Sequence, residues 1–576
     1  SSLSVNALAE ATGRPDRFVG LHFFYHPAKN RLVEVIPAQS TSQQTIDRVV
    51  QYCKMLGKVV IVCGDRPGFV VNRFFVPWLN EACLLLEEGH GTAAQIDAVA
   101  CKAFRIGLGP FGLMNLTGPP IALHSTDYLA EQLETPRYNG AANLRDLVSD
   151  NRMWDIEEDN TYSEEQYEVI SRRLYGVVFG VAAQIVDEGV CSIEDVDRGA
   201  KVGLRWARGP FELMNRVGVK ASFEMAKEYL ALCQDEQGES NWKIPQFFTD
   251  QASNDSQWDF SYVDTSIQDG IATITINRPE AMNALNETVI EQLGHAITAV
   301  NSNDDVHTLV LDGAGKAFVA GADVKFFVDK IRSDSIDDIV EFTSNGHKVL
   351  NSIENSPKTT IALTTGLALG GGLELALCCD YRIGTRRTQF RFPETSIGIY
   401  PGLGGSQRPA RISGIPLARW AVLGGNFMNA QMAYDIGLLT HLVDLAEVGQ
   451  ATNSCIKAGK PAQKYPGKPT NPDSSVVKFA SDFYSDANLT TLLSGGCPEG
   501  YDAEDKSISR QLKNLKYTAP IALSMASELI DITASTTLEQ GLDSELAKLT
   551  DIFSTRDALE GLSALIEGRR ATYNNS

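Results

Sequence analysis

The stretch that decides the fold of the second half of this chain is Gly366-Leu367-Ala368-Leu369-Gly370-Gly371-Gly372-Leu373-Glu374-Leu375. A short apolar run leads into three consecutive glycines, and an apolar helical pattern follows them. Glycine has no side chain, so the backbone can approach another group closely, and the N–H groups at the start of the helix point toward that group. A second small-residue stretch, Phe318-Val319-Ala320-Gly321-Ala322-Asp323, precedes it. Two peptide N–H groups that converge on one oxygen would form an oxyanion hole.

Two glutamates accompany these glycines. Glu374 lies one turn into the helix, and Glu394 follows twenty residues later in Phe392-Pro393-Glu394-Thr395. Two carboxyl groups that face a buried apolar cleft can adopt different protonation states, one acting as a base and the other as an acid. Surface glutamates occur at the same separation, so the spacing alone leaves both interpretations open. The glycine triplet is not a dinucleotide fingerprint, because no Gly-x-Gly-x-x-Gly opening follows a strand here.

Residues 260 to about 444, together with the terminal helices, resemble the crotonase (enoyl-CoA hydratase) superfamily. The motifs that carry the resemblance occur in family order: Asn277-Arg278-Pro279 with Asn283-Ala284-Leu285, Ala320-Gly321-Ala322-Asp323, Ala368–Ala376, Pro393-Glu394 and Pro401-Gly402-Leu403-Gly404-Gly405-Ser406-Gln407-Arg408. The resemblance implies that Ala322 and Gly371 supply the N–H groups of the oxyanion hole. It also implies that Glu374 and Glu394 hold a water molecule, one activating it and the other protonating the α-carbon of the substrate.

The presence of both carboxylates narrows the reaction. Superfamily members that isomerise, dehalogenate or decarboxylate often lack one of them, so the resemblance implies hydration of a 2-enoyl-CoA, with Gly402 assigned to substrate binding. Two alternatives stay open. One is an enoyl-CoA isomerase of the same superfamily, which moves a proton without incorporating water. The other is a non-catalytic acyl-CoA-binding scaffold, in which replacing either glutamate would change no measurable property.

The first half of the chain begins with strand-length apolar runs. Phe18–Phe24, Leu32–Pro37 and Lys58–Cys63 fit strands, and Ser42–Leu56 between the last two fits a helix, which indicates the end of an α/β sheet. Further along, Gly109-Pro110-Phe111-Gly112-Leu113-Met114-Asn115 recurs as Gly209-Pro210-Phe211-Glu212-Leu213-Met214-Asn215, at an offset of 209 − 109 = 100. A repeat of this length predicts two related helical domains in tandem.

About the first 230 residues resemble 3-hydroxyacyl-CoA dehydrogenases. The marks are Ser1–Ser4, Arg17–Phe24, Leu32–Ile36, Pro67–Arg73 and the repeated Gly-Pro-Phe motif. The resemblance implies that His22 is the general base that takes the hydroxyl proton while hydride leaves for NAD, and that Glu34 orients this histidine. It assigns Ser1 and Asn72 to the substrate oxygen. A carboxylate beside a histidine stabilises the imidazolium and selects a tautomer. The residues alone also fit a packed strand histidine.

Departures from the dehydrogenase pattern qualify this interpretation. Tyr25-His26-Pro27 stands where the family usually has Asn-Pro, which makes His26 a rival base. Arg172 occupies the repeat position of Asn72, so the second helical copy is expected to act as a scaffold for the first. The glycine fingerprint and the acidic ribose partner of a Rossmann fold are absent; in the family they precede Ser1, so roughly a hundred residues of the domain are expected to be missing. The expectation is therefore an N-terminally truncated dehydrogenase half that binds NAD poorly as given.

The predicted fold class is α/β plus all-α. The domains are the C-terminal part of a NAD-binding Rossmann domain (1–65), two duplicated helical dehydrogenase domains (66–150 and 151–232), a linker (233–259), and a ClpP-like β-β-α spiral crotonase domain (260–576). The last domain carries an inserted loop region at about 457–505. The linker is predicted because its residues are rich in Gln, Asn, Asp and Ser and show no apolar periodicity.

Composition restricts partners and compartment. The net charge of −21 with no basic patch disfavours nucleic acid. Ten cysteines without a C-x-x-C pair favour reduced thiols and a cytoplasmic protein, and the scattered histidines predict no metal site. No apolar run suggests a membrane span of about 20 residues. The expected ligands are acyl-CoA thioesters, with coenzyme A as part of the substrate, and the crotonase resemblance implies a homo-oligomer.

Overall fold

The computed structural model describes residues 3–157, 159–234 and 240–576. The chain forms two compact units, Ser1–Phe260 and Ser261–Ser576. The first unit combines a small sheet with two sets of helices, and the second combines two sheets with helices. The predicted fold class is confirmed.

The sheet of the first unit has three strands, β1 (Val19–Phe23), β2 (Leu32–Pro37) and β3 (Val59–Val62). The central strand, β2, pairs antiparallel with β1 and parallel with β3. Five of its six residues are buried, as the unbroken apolar run predicts for a strand between two neighbours. The helix α1 (Val5–Ala11) precedes the sheet, and α2 (Gln43–Met55) connects β2 to β3. The predicted strands and the connecting helix are confirmed.

Two sets of helices complete the first unit. The first set is α3 (Val71–Glu87), α4 (Ala93–Phe104), α5 (Pro110–Thr117), α6 (Pro119–Gln132) and α7 (Ala142–Ser149). The second set is α8 (Glu164–Asp187), α9 (Ile193–Arg198), a π-helical turn at Gly199–Gly203, α10 (Pro210–Val217), α11 (Val219–Leu232) and α12 (Gln246–Asn254). Single 3₁₀ turns lie at Pro15–Arg17 and Pro136–Tyr138.

The sequence repeat corresponds to a repeated hydrogen-bonding device. In the first copy, Asp97 accepts the N–H groups of Phe111 (2.8 Å) and Gly112 (2.9 Å) at the start of α5. In the second copy, Asp197 does the same for the start of α10, at 2.8 and 2.9 Å. A carboxylate at a helix N-terminus satisfies N–H groups that have no partner within the helix. The two helical sets are therefore copies of one unit, as the repeat predicts.

The repeat also extends past its predicted end. Asn115 exchanges two hydrogen bonds with the backbone of Trp154, each 2.9 Å, and Asn215 does so with Trp258 at 2.7 and 2.9 Å. Both tryptophans are nearly buried and pack against the phenylalanine of the Gly-Pro-Phe motif of their own copy. The offset here is 258 − 154 = 104, because the second copy has a longer path to this tryptophan.

The interpretation of 233–259 as a linker is wrong for the described residues of that segment, 233–234 and 240–259. Trp242, Phe248 and Trp258 are at most 8% exposed and belong to the core of the first unit, and α12 forms within this segment. A few large aromatic side chains bury as much surface as a longer aliphatic pattern. The polar residues between them conceal any periodicity, which is why the composition suggested a linker.

The long helix α8 is the core element of the helical repeat. Among the described residues it is the one helix long and apolar enough, by length and composition alone, to cross a membrane, and 72% of its apolar window is buried inside the unit. The sequence analysis overlooked this stretch. Burial on nearly all sides is typical of a helix at the centre of a large core. A methyl group at Gly180 would come within 2.0 Å of the Trp242 ring, so the two pack in direct contact.

The second unit contains two sheets. The six-stranded sheet has the order β13-β10-β8-β6-β5-β4, and the four-stranded sheet has the order β12-β11-β9-β7. The strands are β4 (Val263–Gln268), β5 (Ile271–Ile276), β6 (Thr308–Gly313), β7 (Ala317–Ala320), β8 (Thr359–Thr364), β9 (Leu367–Leu369), β10 (Tyr381–Gly384), β11 (Gln389–Arg391), β12 (Met428–Asn429) and β13 (His441–Leu442). The successive pairs β6–β7, β8–β9 and β10–β11 each place one strand in each sheet, which is the predicted β-β-α spiral.

Helices surround these sheets. They are α13 (Glu287–Asn301), α14 (Val324–Arg332), α15 (Ile336–Glu354), α16 (Gly371–Leu377), α17 (Arg408–Ser413), α18 (Ile415–Val422), α19 (Ala430–Asp435), α20 (Val448–Ala458), α21 (Ser475–Phe483), α22 (Asp486–Leu493), α23 (Lys506–Lys516), α24 (Pro520–Asp531), α25 (Leu538–Ala547), α26 (Leu549–Phe553) and α27 (Arg556–Glu567). Single 3₁₀ turns lie at Pro279–Ala281, Glu394–Ile397, Leu445–Glu447 and Ile532–Ala534.

The predicted loop region at about 457–505 is only partly a loop. It contains α21 and α22, and α21 buries Val477, Ala480 and Phe483 at helical spacing. The segment 459–474 has no helix or strand, yet Lys464 Nζ lies 2.7 Å from a Glu354 carboxylate oxygen. The prediction of an aperiodic insertion is therefore wrong for 475–493. The buried face of α21 consists of only three residues, which is too few to show a helical period in the sequence.

Candidate active sites

Glu374 lies on α16, directly after the glycine triplet, and is 2% exposed. Its Oε1 accepts hydrogen bonds from the N–H groups of Leu403 and Gly405, each 2.7 Å. Burial raises the pKa of Glu374 to about 7, against the opposing effect of the two N–H donors. A carboxyl group that titrates near neutral pH can take up and release a proton during turnover.

Glu394 starts the 3₁₀ turn at Glu394–Ile397 and is also buried. Among the described residues no hydrogen-bond partner reaches its Oε2 atom. Burial, followed by the negative charge of Glu374, raises the pKa of Glu394 well above its usual range. A buried carboxyl oxygen without a partner is costly, and the cost falls when the group carries a proton or meets a ligand.

The glycine turn brings these two carboxyl groups together. Gly370 has φ +48°, and a methyl group on it would come within 2.3 Å of Glu394 Oε1. A methyl group on Gly371 would lie 3.8 Å from Glu374 Oε2. Both carboxyl groups therefore flank the Gly370–Gly371 peptide. Gly372, the third glycine, is required for packing. A methyl group on it would come within 2.0 Å of the Val319 carbonyl oxygen. The sequence analysis did not predict this contact.

The predicted oxyanion-hole residues lie at one edge of the four-stranded sheet. In the parallel register of β7 and β9, Ala320 pairs with Leu369, and Ala322 and Gly371 each follow two residues later. Leu285 bonds to the residues on both sides of Ala322, so the Ala322 N–H faces away from that neighbour. Gly371 is the first residue of α16 and has no acceptor within the helix. Within the described residues neither N–H donates to a protein acceptor.

Gly402, predicted to bind substrate, uses its carbonyl oxygen within the protein. His347 Nε2 lies 2.6 Å from that oxygen, and burial lowers the pKa of His347 to about 4, so the ring is neutral. The sequence analysis missed this histidine and also Glu545 on α25. Glu545 is fully buried and accepts the Gly404 N–H at 2.7 Å. It lies 171 residues beyond Glu374 in an ordinary helical pattern, so no local signal marked it.

In the first unit, His22 and Glu34 face each other directly across the β1–β2 pair. His22 Nδ1 lies 2.6 Å from Glu34 Oε2. The other oxygen of Glu34 accepts the N–H groups of Val71 (2.9 Å) and Val70 (3.2 Å) at the start of α3. A helix N-terminus favours a negative charge, which accounts for a fully buried glutamate at this position. The predicted His–Glu pair is thus assembled by the fold.

The surroundings of His22 differ from those of His26, the alternative base. The His22 ring packs against Phe24, with ring centroids 4.7 Å apart, while 19% of the side chain stays exposed. His26 is exposed, and the buried carboxylate pairs with His22. Asn72 is the second residue of α3, next to the N–H donors of Glu34. Ser1, also predicted to bind substrate, lies outside the described residues.

The second helical copy supports this pair. Asn30 Nδ2 donates to the carbonyl oxygen of Gly203, in the π-helical turn, at 2.8 Å. A methyl group on Gly203 would come within 2.6 Å of Leu32, and one on Gly199 within 2.7 Å of Val71. The π-helical turn therefore packs closely on β2 and on the start of α3, the two elements that hold Glu34. This contact supports the predicted scaffold role of the second copy.

Two reciprocal ion pairs join the helical copies. Arg73 of the first copy pairs with Glu188 of the second, and Arg173 of the second pairs with Glu88 of the first. These residues are equivalent under the 100-residue repeat. Like a two-fold symmetric interface, the pairing uses the same contact twice, and it indicates that the copies face each other around a pseudo-two-fold axis.

The described residues 3–66 do not fit a whole dinucleotide. The two helices there begin at Ser4 and Ser42, whose hydroxyl groups accept the helix N–H groups themselves. The Gly-x-Gly-x-x-Gly run at 107–112 lies between two helices, and a methyl group on Gly109 would come within 2.4 Å of Asp97. That run packs against the Asp97 cap and cannot cradle a pyrophosphate. Within the described residues, no group of three or more metal-ligating side chains could hold a metal ion.

These features define the class of protein. A spiral of paired strands that presents two buried carboxyl groups and two peptide N–H groups around one glycine turn can support acid–base chemistry beside a developing negative charge. A strand histidine oriented by a buried glutamate is built for proton transfer. The molecule therefore carries two candidate acid–base sites, one in each unit.

Comparison with known families agrees with both halves. Residues 271–574 match the enoyl-CoA hydratase/isomerase family. Residues 1–66 match the NAD binding domain of 3-hydroxyacyl-CoA dehydrogenase, and 68–164 with 170–253 match its C-terminal domain. The chain belongs to the enoyl-CoA hydratase/isomerase family, and its first half makes it a fusion with a 3-hydroxyacyl-CoA dehydrogenase, whose matched domain uses NAD. The predicted fusion is confirmed.

Individual relatives match the second half. The chain is 41% identical to the crotonyl-CoA hydratase of Syntrophomonas wolfei over 182 residues, which are 31% of this chain and 68% of that protein. It is 36% identical to the short-chain-enoyl-CoA hydratase of Clostridium acetobutylicum over 179 residues, 31% of this chain and 67% of that protein. It is 30% identical to a probable enoyl-CoA hydratase of Rhizobium meliloti over 308 residues, 54% of this chain and 96% of that protein.

Proposed function

We propose that the second unit hydrates 2-enoyl-CoA to 3-hydroxyacyl-CoA, and that the first unit belongs to the NAD-dependent oxidation of 3-hydroxyacyl-CoA to 3-oxoacyl-CoA. The product of the first reaction is the substrate of the second, which fits consecutive steps of β-oxidation. The observation that carries the hydratase proposal is the pair Glu374 and Glu394, both buried and both flanking the Gly370–Gly371 peptide.

The hydrogen bonds assign the two carboxyl roles. Glu374 accepts two N–H groups, which favour its ionised form, so Glu374 is the base that takes a proton from water. One oxygen of Glu394 has no partner among the described residues, and the charge of Glu374 repels a second negative charge, so Glu394 keeps its proton and is the acid. Environments that move two pKa values apart assign an acid and a base in this way.

The reaction then follows from the geometry. The water oxygen attacks the β-carbon of the enoyl group while its proton passes to Glu374. The electrons of the double bond move toward the thioester oxygen, where the N–H groups of Ala322 and Gly371 stabilise the developing negative charge. Glu394 then gives its proton to the α-carbon. Each N–H donor contributes about 10²–10³ in rate, and acid–base catalysis about 10²–10⁴.

In the dehydrogenase half, His22 is the proton acceptor. Its Nδ1 atom is within hydrogen-bond distance of Glu34, which selects the tautomer with the ring proton on Nδ1. The lone pair of Nε2 is then available for the substrate hydroxyl proton. Glu34 is fixed by two helix N–H groups and orients the ring. Asn72, next to these groups on α3, and Ser1 are the proposed contacts of the substrate oxygen. We assign these four residues only to proton transfer and to binding of the substrate oxygen, because the described residues 3–66 and 107–112 provide no binding loop for the dinucleotide.

Crotonyl-CoA in H₂¹⁸O tests the hydratase. The enoyl-thioester absorbance should disappear, and the product should carry one ¹⁸O atom by mass spectrometry. Glu394→Gln should lower this rate at least about 10²-fold, because the amide has no proton to give. Glu341→Gln, an exposed substitution on α15, is the matched control and should retain full rate. A proton shift along the acyl chain without ¹⁸O would identify an isomerase. Unchanged activity in Glu394→Gln would contradict its assigned role.

A further inference from the structure

Four successive residues in the loop before α17 connect two buried carboxylates. The N–H groups of Leu403 and Gly405 donate to Glu374 Oε1, each at 2.7 Å. The intervening N–H group of Gly404 donates to Glu545 Oε2 at 2.7 Å, and that of Ser406 donates to Glu545 Oε1 at 3.1 Å. Consecutive N–H groups thus alternate between the glutamate of the glycine turn and a second glutamate on the other side of the loop.

The side chain of Glu545 accepts more hydrogen bonds than its position within a helix requires. It is fully buried on α25, and the Ser406 hydroxyl donates to its Oε1 at 2.5 Å in addition to the two N–H groups. Its backbone carbonyl oxygen accepts the Tyr400 hydroxyl at 2.6 Å. Three donors converge on one carboxylate at the far end of the chain, although burying a carboxylate is costly and an apolar residue would pack there more cheaply.

Burial, followed by the negative charge of Glu374, raises the pKa of Glu545 to about 8, against the opposing effects of the Ser406 donors and of Arg408. His347 Nε2 lies 3.8 Å from Glu545 Oε2 and is neutral, because burial lowers the pKa of that histidine to about 4. The buried guanidinium of Arg408 pairs with Glu354 and donates to the Leu403 carbonyl oxygen at 2.9 Å. The contacts of Glu545 are therefore mostly with the loop, and through the loop they reach Glu374.

We propose that Glu545 is a positioning residue for hydration: it fixes the N–H groups of Gly404 and Ser406, and thereby holds those of Leu403 and Gly405 on Glu374. The proposal rests on the hydratase function proposed above. A loop bound only on the Glu374 side could rotate, and the catalytic carboxyl group would then lose the donors that orient it. With Glu545 on the other side, each peptide of the loop is restrained from both directions. Catalysis is sensitive to such displacements of the reacting groups.

The test compares kinetics of the full chain with crotonyl-CoA. Glu545→Gln keeps the shape of the side chain but turns an NH₂ group toward one of the two N–H donors, so that donor loses its acceptor. The expected result is a fall in kcat of about tenfold or more with KM within about twofold of the unaltered protein. Glu539→Gln, an exposed glutamate on the same helix, is the control and should change neither constant. An unchanged kcat in Glu545→Gln would overturn the proposal, as would a purely KM effect.

Two further measurements keep the test decisive. If Glu545→Gln fails to fold, Ser406→Ala provides a second test. It removes the hydroxyl group that donates to Glu545 and accepts from Gln407 Nε2 at 2.9 Å, and it should lower kcat about threefold with KM unchanged. No change in kcat would refute the positioning role. If the unaltered protein does not hydrate crotonyl-CoA, the crystal structures of the variants decide. The Leu403 N–H should move out of hydrogen-bond reach of Glu374 in Glu545→Gln. A contact retained at 2.7 Å would exclude positioning, whatever the reaction.

Discussion

Glu34 and Glu374 are built alike and serve different purposes. Each is a buried glutamate with one oxygen held by two backbone N–H groups: those of Val70 and Val71 for Glu34, and those of Leu403 and Gly405 for Glu374. The second oxygen of Glu34 meets the imidazole of His22. The second oxygen of Glu374 faces the glycine turn, with Glu394 nearby.

The comparison teaches that the second neighbour decides the role. The imidazole of His22 gives the second oxygen of Glu34 a hydrogen-bond partner, which suits this glutamate to orient the histidine. Glu374 has another carboxyl group as its neighbour, and burial raises its pKa to about 7. The same pair of backbone N–H donors therefore fits the orienting role proposed for Glu34 and the acid–base role proposed for Glu374. Substitution of either glutamate tests whether the second neighbour determines its role.

The largest effect is expected from Glu374→Gln. The amide retains the hydrogen bonds from Leu403 and Gly405 through its oxygen but cannot accept a proton from water. Hydration of crotonyl-CoA should fall about 10³-fold or more, with little change in melting temperature, because acid–base catalysis alone is worth about 10²–10⁴. Steady-state kinetics with Glu341→Gln as a matched control measure this. A residual rate above a tenth of the original would mean that Glu374 is not the base.

Glu34→Gln should change the tautomer of His22 while leaving the fold intact. The amide oxygen can take the two helix N–H groups, and the NH₂ group then donates to His22 Nδ1. The ring proton would move to Nε2, and the proposed acceptor atom would be lost. Nitrogen-15 NMR of histidine-labelled protein, with His22→Gln to assign the signal, should show the exchange of the two nitrogen shifts. An unchanged pattern would break the parallel drawn between the two glutamates.

The rate of hydration should depend on pH in a bell shape. Glu374 must be ionised, so kcat should fall about tenfold per pH unit as the pH drops below about 7, the pKa to which burial raises it. Glu394 must be protonated, so activity should also fall at alkaline pH, above its raised pKa. A pH series of kcat measures both limbs, and macroscopic values will belong to the pair. An acid limb near pH 4.5 would show that Glu374 is not perturbed.

The smallest effect concerns the helical repeat. Asn215→Ala should lower the free energy of unfolding of the first unit by about 1–3 kcal/mol, because Trp258 loses two backbone hydrogen bonds in a buried position. Asn115→Ala should cost a similar amount at Trp154. Chemical denaturation followed by tryptophan fluorescence measures both. A linker-like segment at 240–259 would instead leave stability unaffected by Asn215→Ala.

Much of the site could be predicted from the sequence, because the relevant patterns lie within short stretches of the chain. The strands around His22 and Glu34 follow from short apolar runs, and the glycine turn with Glu374 follows from a contiguous motif. The aromatic segment ending at Trp258 was misjudged, because three large side chains bury what a periodic pattern would normally bury. The helix α21 was misjudged for a similar reason, since its apolar stripe has only three buried positions.

The sequence by itself determined the fold class, the fusion and the helical repeat, and it predicted the two hydratase carboxyl groups, because each depends on residues that are close along the chain. Only the tertiary structure decided that one oxygen of Glu394 lacks a partner among the described residues, that Gly372 packs against a carbonyl group, and that Glu545 and Glu374 bind the same loop. These depend on distances between segments up to 171 residues apart. Burial and hydrogen bonding set the chemistry of a carboxyl group, and neither exists until the chain has folded.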